Sequence, residues 1–153
     1  MSYRKISVFL CAAVLAASCG KAAVEEPQAE GPQHERHELM EGVGKAAKVI
    51  GSMLKGETDY DAEAAMTSLQ VFQDASSKFG ALFPEGSETG GGTEAAPSIW
   101  EDRDGFNAAL KDWADATAAA IEAAPQTRED AGPIFNPVFK ACKNCHDNYR
   151  LDD

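Results

Sequence analysis

Cys142-Lys143-Asn144-Cys145-His146 is the stretch of this chain whose residue types and spacing most clearly specify a chemistry. Two cysteines three residues apart share a helical face. Their thiols can add across the vinyl groups of one haem, and the histidine that follows can ligate the iron. Two other chemistries use part of this pattern. A redox dithiol needs only the C-x-x-C, and a zinc site could use it as half of a ligand set. The zinc reading calls for a second Cys/His pair at ligand spacing, and none remains once the N-terminal segment is removed. The dithiol reading calls for a βαβ setting, and the chain has no strand pattern. Covalent haem is the reading that accounts for all five positions.

The elements that must carry this motif read as helices. The chain has 153 residues, which makes one domain, and 44% of them are hydrophobic, which is enough for a core. Alanine is abundant and β-branched residues are few, which favours helix over strand. A first helix is expected over residues 33–55, where Leu39, Met40, Val43, Ala47, Ile50 and Leu54 recur at helical spacing. Gly42, Gly44 and Gly51 weaken it, and they also let another helix or a flat ring come close. A turn at 56–60 leads to a second helix over 61–82, with Ala65, Leu69, Phe72, Ala75 and Phe79 on its apolar stripe.

Residues 84–98 are expected to form a long loop. Its Gly90-Gly91-Gly92 run is not a phosphate cradle, because no Gly-Lys-Ser/Thr follows. Trp100, at the end of that loop, is the stronger cavity candidate of the two tryptophans, while Trp113 reads as core. A third helix over 102–124 presents Phe106, Leu110, Trp113, Thr117 and Ile121, and Pro125 ends it. A fourth over 128–151 carries Phe135, Val138, Phe139, Cys142, Cys145, His146 and Tyr149 on its inner face. Pro133 and Pro137 should make its early part irregular or kinked. The expected fold is therefore all-α, an antiparallel four-helix bundle with the haem in its core.

The N-terminus reads as an address. Arg4 and Lys5 precede an apolar run, from Ile6 to Ala17, that is too short to span a bilayer. Residues 1–18 are expected to be a signal peptide. Ala16-Ala17-Ser18-Cys19 resembles a lipoprotein cleavage box, which would leave Cys19 as a lipidated first residue and a membrane tether; ordinary secretory cleavage nearby is the alternative. Residues 19–32 form a polar tether with Pro and Gly, and residues 33–153 the bundle. Export to the periplasm, soluble or lipid-anchored, suits covalent haem. Removing 1–18 takes away Arg4 and Lys5 and no acid, so the net charge deepens from −11 to −13. That surface disfavours nucleic acid.

Size, helical content and a C-terminal C-x-x-C-H together resemble the cytochrome c′ family of class II c-type cytochromes, most like its low-spin c-554/c-556 branch. The resemblance rests on Arg36-His37-Glu38-Leu39-Met40, Lys55-Gly56-Glu57 with Tyr60-Asp61, Pro97-Ser98-Ile99-Trp100, and Cys142 through Arg150. It implies one covalent haem c, with Cys142 and Cys145 carrying the thioethers and His146 the proximal ligand. It implies that Arg36 lies by a haem propionate, with His37 at the same edge, Glu94 near the haem and Arg150 on the proximal side. It places Met40 where gas-binding members carry an apolar residue, often leucine. Met40 stands at i+4 from Arg36, on the same face. A thioether there completes His/Met ligation and suits electron transfer. The bland reading of Met40 is core filler, and His34 and His37 are rival ligands nearby. The resemblance thus implies a one-electron carrier with unnamed redox partner proteins, not an enzyme. The alternative is a five-coordinate protein that binds NO or CO. Family members often form homodimers through the first two helices.

Overall fold

The computed structural model describes residues 31–151. The expected signal peptide, the Cys19 lipid site and all but the end of the tether lie outside the described residues. The elements are α1 (Pro32–Lys55), α2 (Ala62–Phe79) with a 3₁₀ turn at Gly80–Leu82, a short α3 (Ser98–Glu101), α4 (Arg103–Ala123) and α5 (Arg128–Tyr149). The four long helices match the expected ones to within a few residues at each end.

Local chemistry sets the ends. Gly56, at φ 75°, closes α1: its N–H bonds Met53 O and the Glu57 N–H bonds Ser52 O, which together form a Schellman motif. Asp61 caps α2 by accepting from the N–H groups of Glu63 and Ala64 at 2.9 and 3.1 Å. Asp102 caps α4 through the Gly105 N–H, and Thr127 caps α5 through the Asp130 N–H. Ala124 ends α4 in the left-handed region (φ 40°). The following Pro125 disfavours helical geometry at that residue.

α1 packs on α2, α2 on α4, and α4 on α5. Ile50, Leu69, Phe72, Phe106, Phe135 and Val138 are almost wholly buried between them. Each such side chain stabilises the fold by about 1.5–3 kcal/mol through burial. The seam between α1 and α5 is sparsely packed by comparison.

The irregularity expected in the early part of α5 is corrected. α5 runs as a single helix through Pro133 and Pro137. Each proline removes one i→i−4 bond, leaving the carbonyls of Glu129 and Pro133 without that donor. Glu129, Pro133 and Pro137 are all exposed, so water can serve those carbonyls. The opposite face is anchored by Ala131, Phe135 and Val138, each 0% exposed. Burial of that face holds the helix where local propensity would break it.

Candidate functional site

A cavity of about 440 Å³ opens in the seam between α1 and α5, within the usual range for ligand pockets. α1 supplies one wall. Gln33, Arg36, Met40, Gly44 and Ala47 recur every three or four residues, so a single helical face lines the space. α5 supplies the facing wall through Phe139, Cys142, Cys145, His146 and Tyr149. Phe106, Leu110 and Trp113 of α4 form the floor, and Thr93, Glu94 and Ala95 of the 83–97 loop reach its rim.

Arg36 is the most constrained polar residue of the site. It is 5% exposed. Its Nη2 donates to Ser87 O at 2.8 Å and to Thr93 Oγ1 at 3.2 Å, and Nη1 reaches Ser87 Oγ at 3.4 Å. The guanidinium lies over the Phe83 ring, 4.6 Å from its centroid. Burial lowers its pKa, and Glu88 partly opposes that. Among the described residues no carboxylate comes within ion-pair distance of it, and its Nε is buried without a partner. A buried cation with no paired anion is expensive. The wall is thus prepared for an anionic group in the cavity.

The loop is tied to both walls. Gln33 Nε2 donates to Ser87 O and Thr89 O on the α1 side. On the α5 side the Ala96 N–H donates to Tyr149 O (3.0 Å), and the Leu151 N–H to Glu94 O (2.8 Å). Ala95 and Arg150 form an isolated antiparallel bridge. Ser98 Oγ donates to Asn148 O, and the Glu94 carboxylate stands 3.9 Å from Arg150 Nε. Tyr149 donates its hydroxyl to Asp102, the α4 cap.

The two thiols are half-buried and free. Burial raises the pKa of Cys142. It pushes Cys145 up to about 11, with neighbouring Cys142 adding to the effect. A redox dithiol needs the opposite shift, toward thiolate at neutral pH, so the electrostatics disfavour that reading. Burial, and then Arg150, lower the His146 pKa against the pull of Glu94 and Asp147. The imidazole is thus favoured in the neutral form that a metal ligand requires.

All seven residues singled out from sequence, Arg36, His37, Met40, Glu94, Cys142, Cys145 and His146, line this one cavity. The rival His34 does not. Of the tryptophans, Trp113 is core as expected, 4% exposed, and also lines the cavity, whereas Trp100, the expected cavity residue, does not line it. The Trp100 indole N–H is held by Pro84 O, and its ring packs on Phe83 (5.8 Å between centroids), one layer behind the wall. Phe83, Ser87 and Thr93 were not foreseen. They meet Arg36 only through contacts some fifty residues apart, for which no local sequence signal exists.

These features fit a covalently held haem. Two sulfurs and a histidine lie on one wall, an uncompensated cation suited to a propionate on the other, and apolar rings enclose the space between. The comparisons with known proteins agree. The sequence pattern of the family described as cytochrome c′ matches residues 32–150. The chain is 40% identical over 119 residues to cytochrome c′ of Rhodopseudomonas palustris, covering 76% of this chain and 79% of that one. It is 29% identical over 123 residues to cytochrome c-556 of Agrobacterium fabrum, covering 80% and 83%. The solved structure of cytochrome c′ from Rhodopseudomonas palustris superimposes with a TM-score of 0.78 at 34% identity, covering 82% of this chain and 99% of the other.

Proposed function

Because the chain belongs to the cytochrome c′ family, whose members bind one covalently attached haem c, we propose that it is a one-electron carrier with its iron ligated by His146 and Met40. Haem c, when bound, supplies an iron that cycles between ferric and ferrous states. The chain's own residues set the conditions for that cycle. Cys142 and Cys145 would fix the macrocycle to α5 through thioethers. Arg36 would pair with a propionate. Phe83, Phe106, Leu110 and Trp113 exclude water and keep the local dielectric low.

The observation that carries the His/Met reading is the register of α1. Met40 stands on the cavity-lining face, one turn beyond Arg36, across the seam from His146. Ferrous visible spectra of the holoprotein, with and without carbon monoxide, test it. Wild type is expected to be low-spin, with sharp α and β bands, and slow to take carbon monoxide. Met40→Ala is expected to be high-spin and to take it readily. A wild type that is already high-spin and binds carbon monoxide at once would make Met40 packing only and favour the gas-binding reading. The 40% identity to a relative named cytochrome c′, against 29% to one named c-556, is what supports that second reading.

Export of the chain through residues 1–18, with Cys19 lipidated and 19–32 as tether, would hold the bundle at the periplasmic face of a membrane. Mass spectrometry of the mature N-terminus tests this. An N-terminus other than Cys19 would leave the protein soluble. Dimerisation through α1 and α2 is read out by sedimentation.

A further inference from the structure

Two buried polar atoms that no hydrogen bond reaches among the described residues stand one turn apart on α4: Trp113 Nε1 and Thr117 Oγ1. Trp113 is 4% exposed and Thr117 0%. A buried indole N–H usually finds a partner. A threonine inside a helix can spend its hydroxyl on the carbonyl four residues back. Neither atom does so here. The cavity does not account for the pair. Trp113 lines it, yet Nε1 is buried, so the ring turns carbon atoms to the cavity and its N–H into the protein. Thr117 does not line it.

The two atoms have complementary needs. The indole N–H can only donate, and the hydroxyl can donate and accept. Residues four apart on a helix are neighbours, with Cβ atoms about 5–6 Å apart, so one small molecule can serve both. Along the same stripe the pair is flanked by Ala109 and Ala120, both buried, whose methyl groups leave room that larger side chains would fill. Buried waters belong where polar groups otherwise lack partners and there is space for them. We propose that α4 holds one internal water, which accepts from the Trp113 indole N–H and donates to the Thr117 hydroxyl, and so fixes the ring that floors the cavity. This site does not depend on which residue completes the coordination of the iron.

The test is a cycle of four holoproteins, wild type, Thr117→Val, Trp113→Phe and the double variant, followed by thermal unfolding, together with a crystal structure of the wild type. Thr117→Val exchanges a hydroxyl for a methyl group on the same branched frame. If the hydroxyl anchors a water, that change strands the indole N–H, and Tm should fall by about 4 °C or more. In the Trp113→Phe background there is no N–H to strand, and the same change should cost less. The crystal structure should show one oxygen within about 2.7–3.2 Å of both atoms. An unchanged or raised Tm in Thr117→Val overturns the proposal, since an unbonded hydroxyl in an apolar core is better replaced by a methyl group. An equal loss in both backgrounds overturns it too, because the hydroxyl would then act without the indole. If a variant fails to fold, the wild-type crystal structure alone gives the answer: Thr117 bonded to the Trp113 carbonyl, with no oxygen beside Nε1, overturns the proposal.

Discussion

The same substitution, glycine to alanine, should have opposite signs at two positions of this bundle. Gly105 sits in the first turn of α4, against the Asp102 carboxylate that caps the helix and the Tyr149 hydroxyl that bonds it. A Cβ there would collide with both. Removing the cap costs about 1 kcal/mol, and forcing aside the ends of these two side chains, which lie outside the core, costs about 1–2 kcal/mol more. The gain from replacing glycine is below about 1 kcal/mol, because the position is at the helix end. Gly105→Ala should therefore destabilise by about 1–3 kcal/mol. At Gly51 a Cβ meets nothing within 4 Å, the position is mid-helix, and Gly51→Ala should stabilise by up to about 1 kcal/mol. For a domain of this size, 1 kcal/mol moves Tm by about 4 °C. Thermal unfolding of the holoproteins, followed by circular dichroism at 222 nm, should place Gly105→Ala about 4–12 °C below wild type and Gly51→Ala up to about 4 °C above. A neutral or stabilising Gly105→Ala would refute the reasoning, since it would mean that the cap and the Tyr149 contact can move aside freely.

Two further outcomes follow from named contacts. Arg36→Lys keeps the charge but loses the fork that holds Ser87 and Thr93 together. Amide exchange over residues 87–93 should quicken about tenfold while α2 and α4 stay protected, and unchanged exchange would show that the loop holds itself. Tyr60 donates to Pro125 O at 2.9 Å, joining the α1–α2 turn to the α4–α5 turn. Tyr60→Phe should cost about 1 kcal/mol in urea unfolding with an unchanged m-value.

Much of the bundle is legible because its information is local. The 3.6-residue stripes of Ile50, Leu69, Phe72, Phe106 and Val138 mark faces that the fold does bury. Asp61 and Pro125 mark ends. The chemical motif is local too, since Cys142, Cys145 and His146 need only one helix to present them. What escaped the sequence depends on partners far along the chain. The continuity of α5 through two prolines is decided by burial of Ala131, Phe135 and Val138 against other helices, which no window around Pro133 contains. Trp100 leaves its expected place because the long loop folds back and lays Phe83 between it and the cavity. The shell around Arg36 is assembled at separations of 51 to 57 residues.

Arg36 holds the loop at two points, Ser87 before the triple glycine and Thr93 after it, while Glu94, Ala95 and Ala96 are stitched to the end of α5. At the tip between the anchors Gly90, Gly91 and Gly92 are exposed at positive φ; Thr89 and Gly91 meet Gln33 of the wall and Gly92 lines the cavity, whereas Gly90 adjoins neither. Lengthening a flexible tip costs little, because closure entropy grows only logarithmically with length. The tip is therefore an insertion port. A peptide tag or a second binding module grafted at Gly90, where nothing else lies within 4 Å of an added Cβ, should leave the cavity and its cation in register, so this bundle can acquire new attachments without disturbing its site.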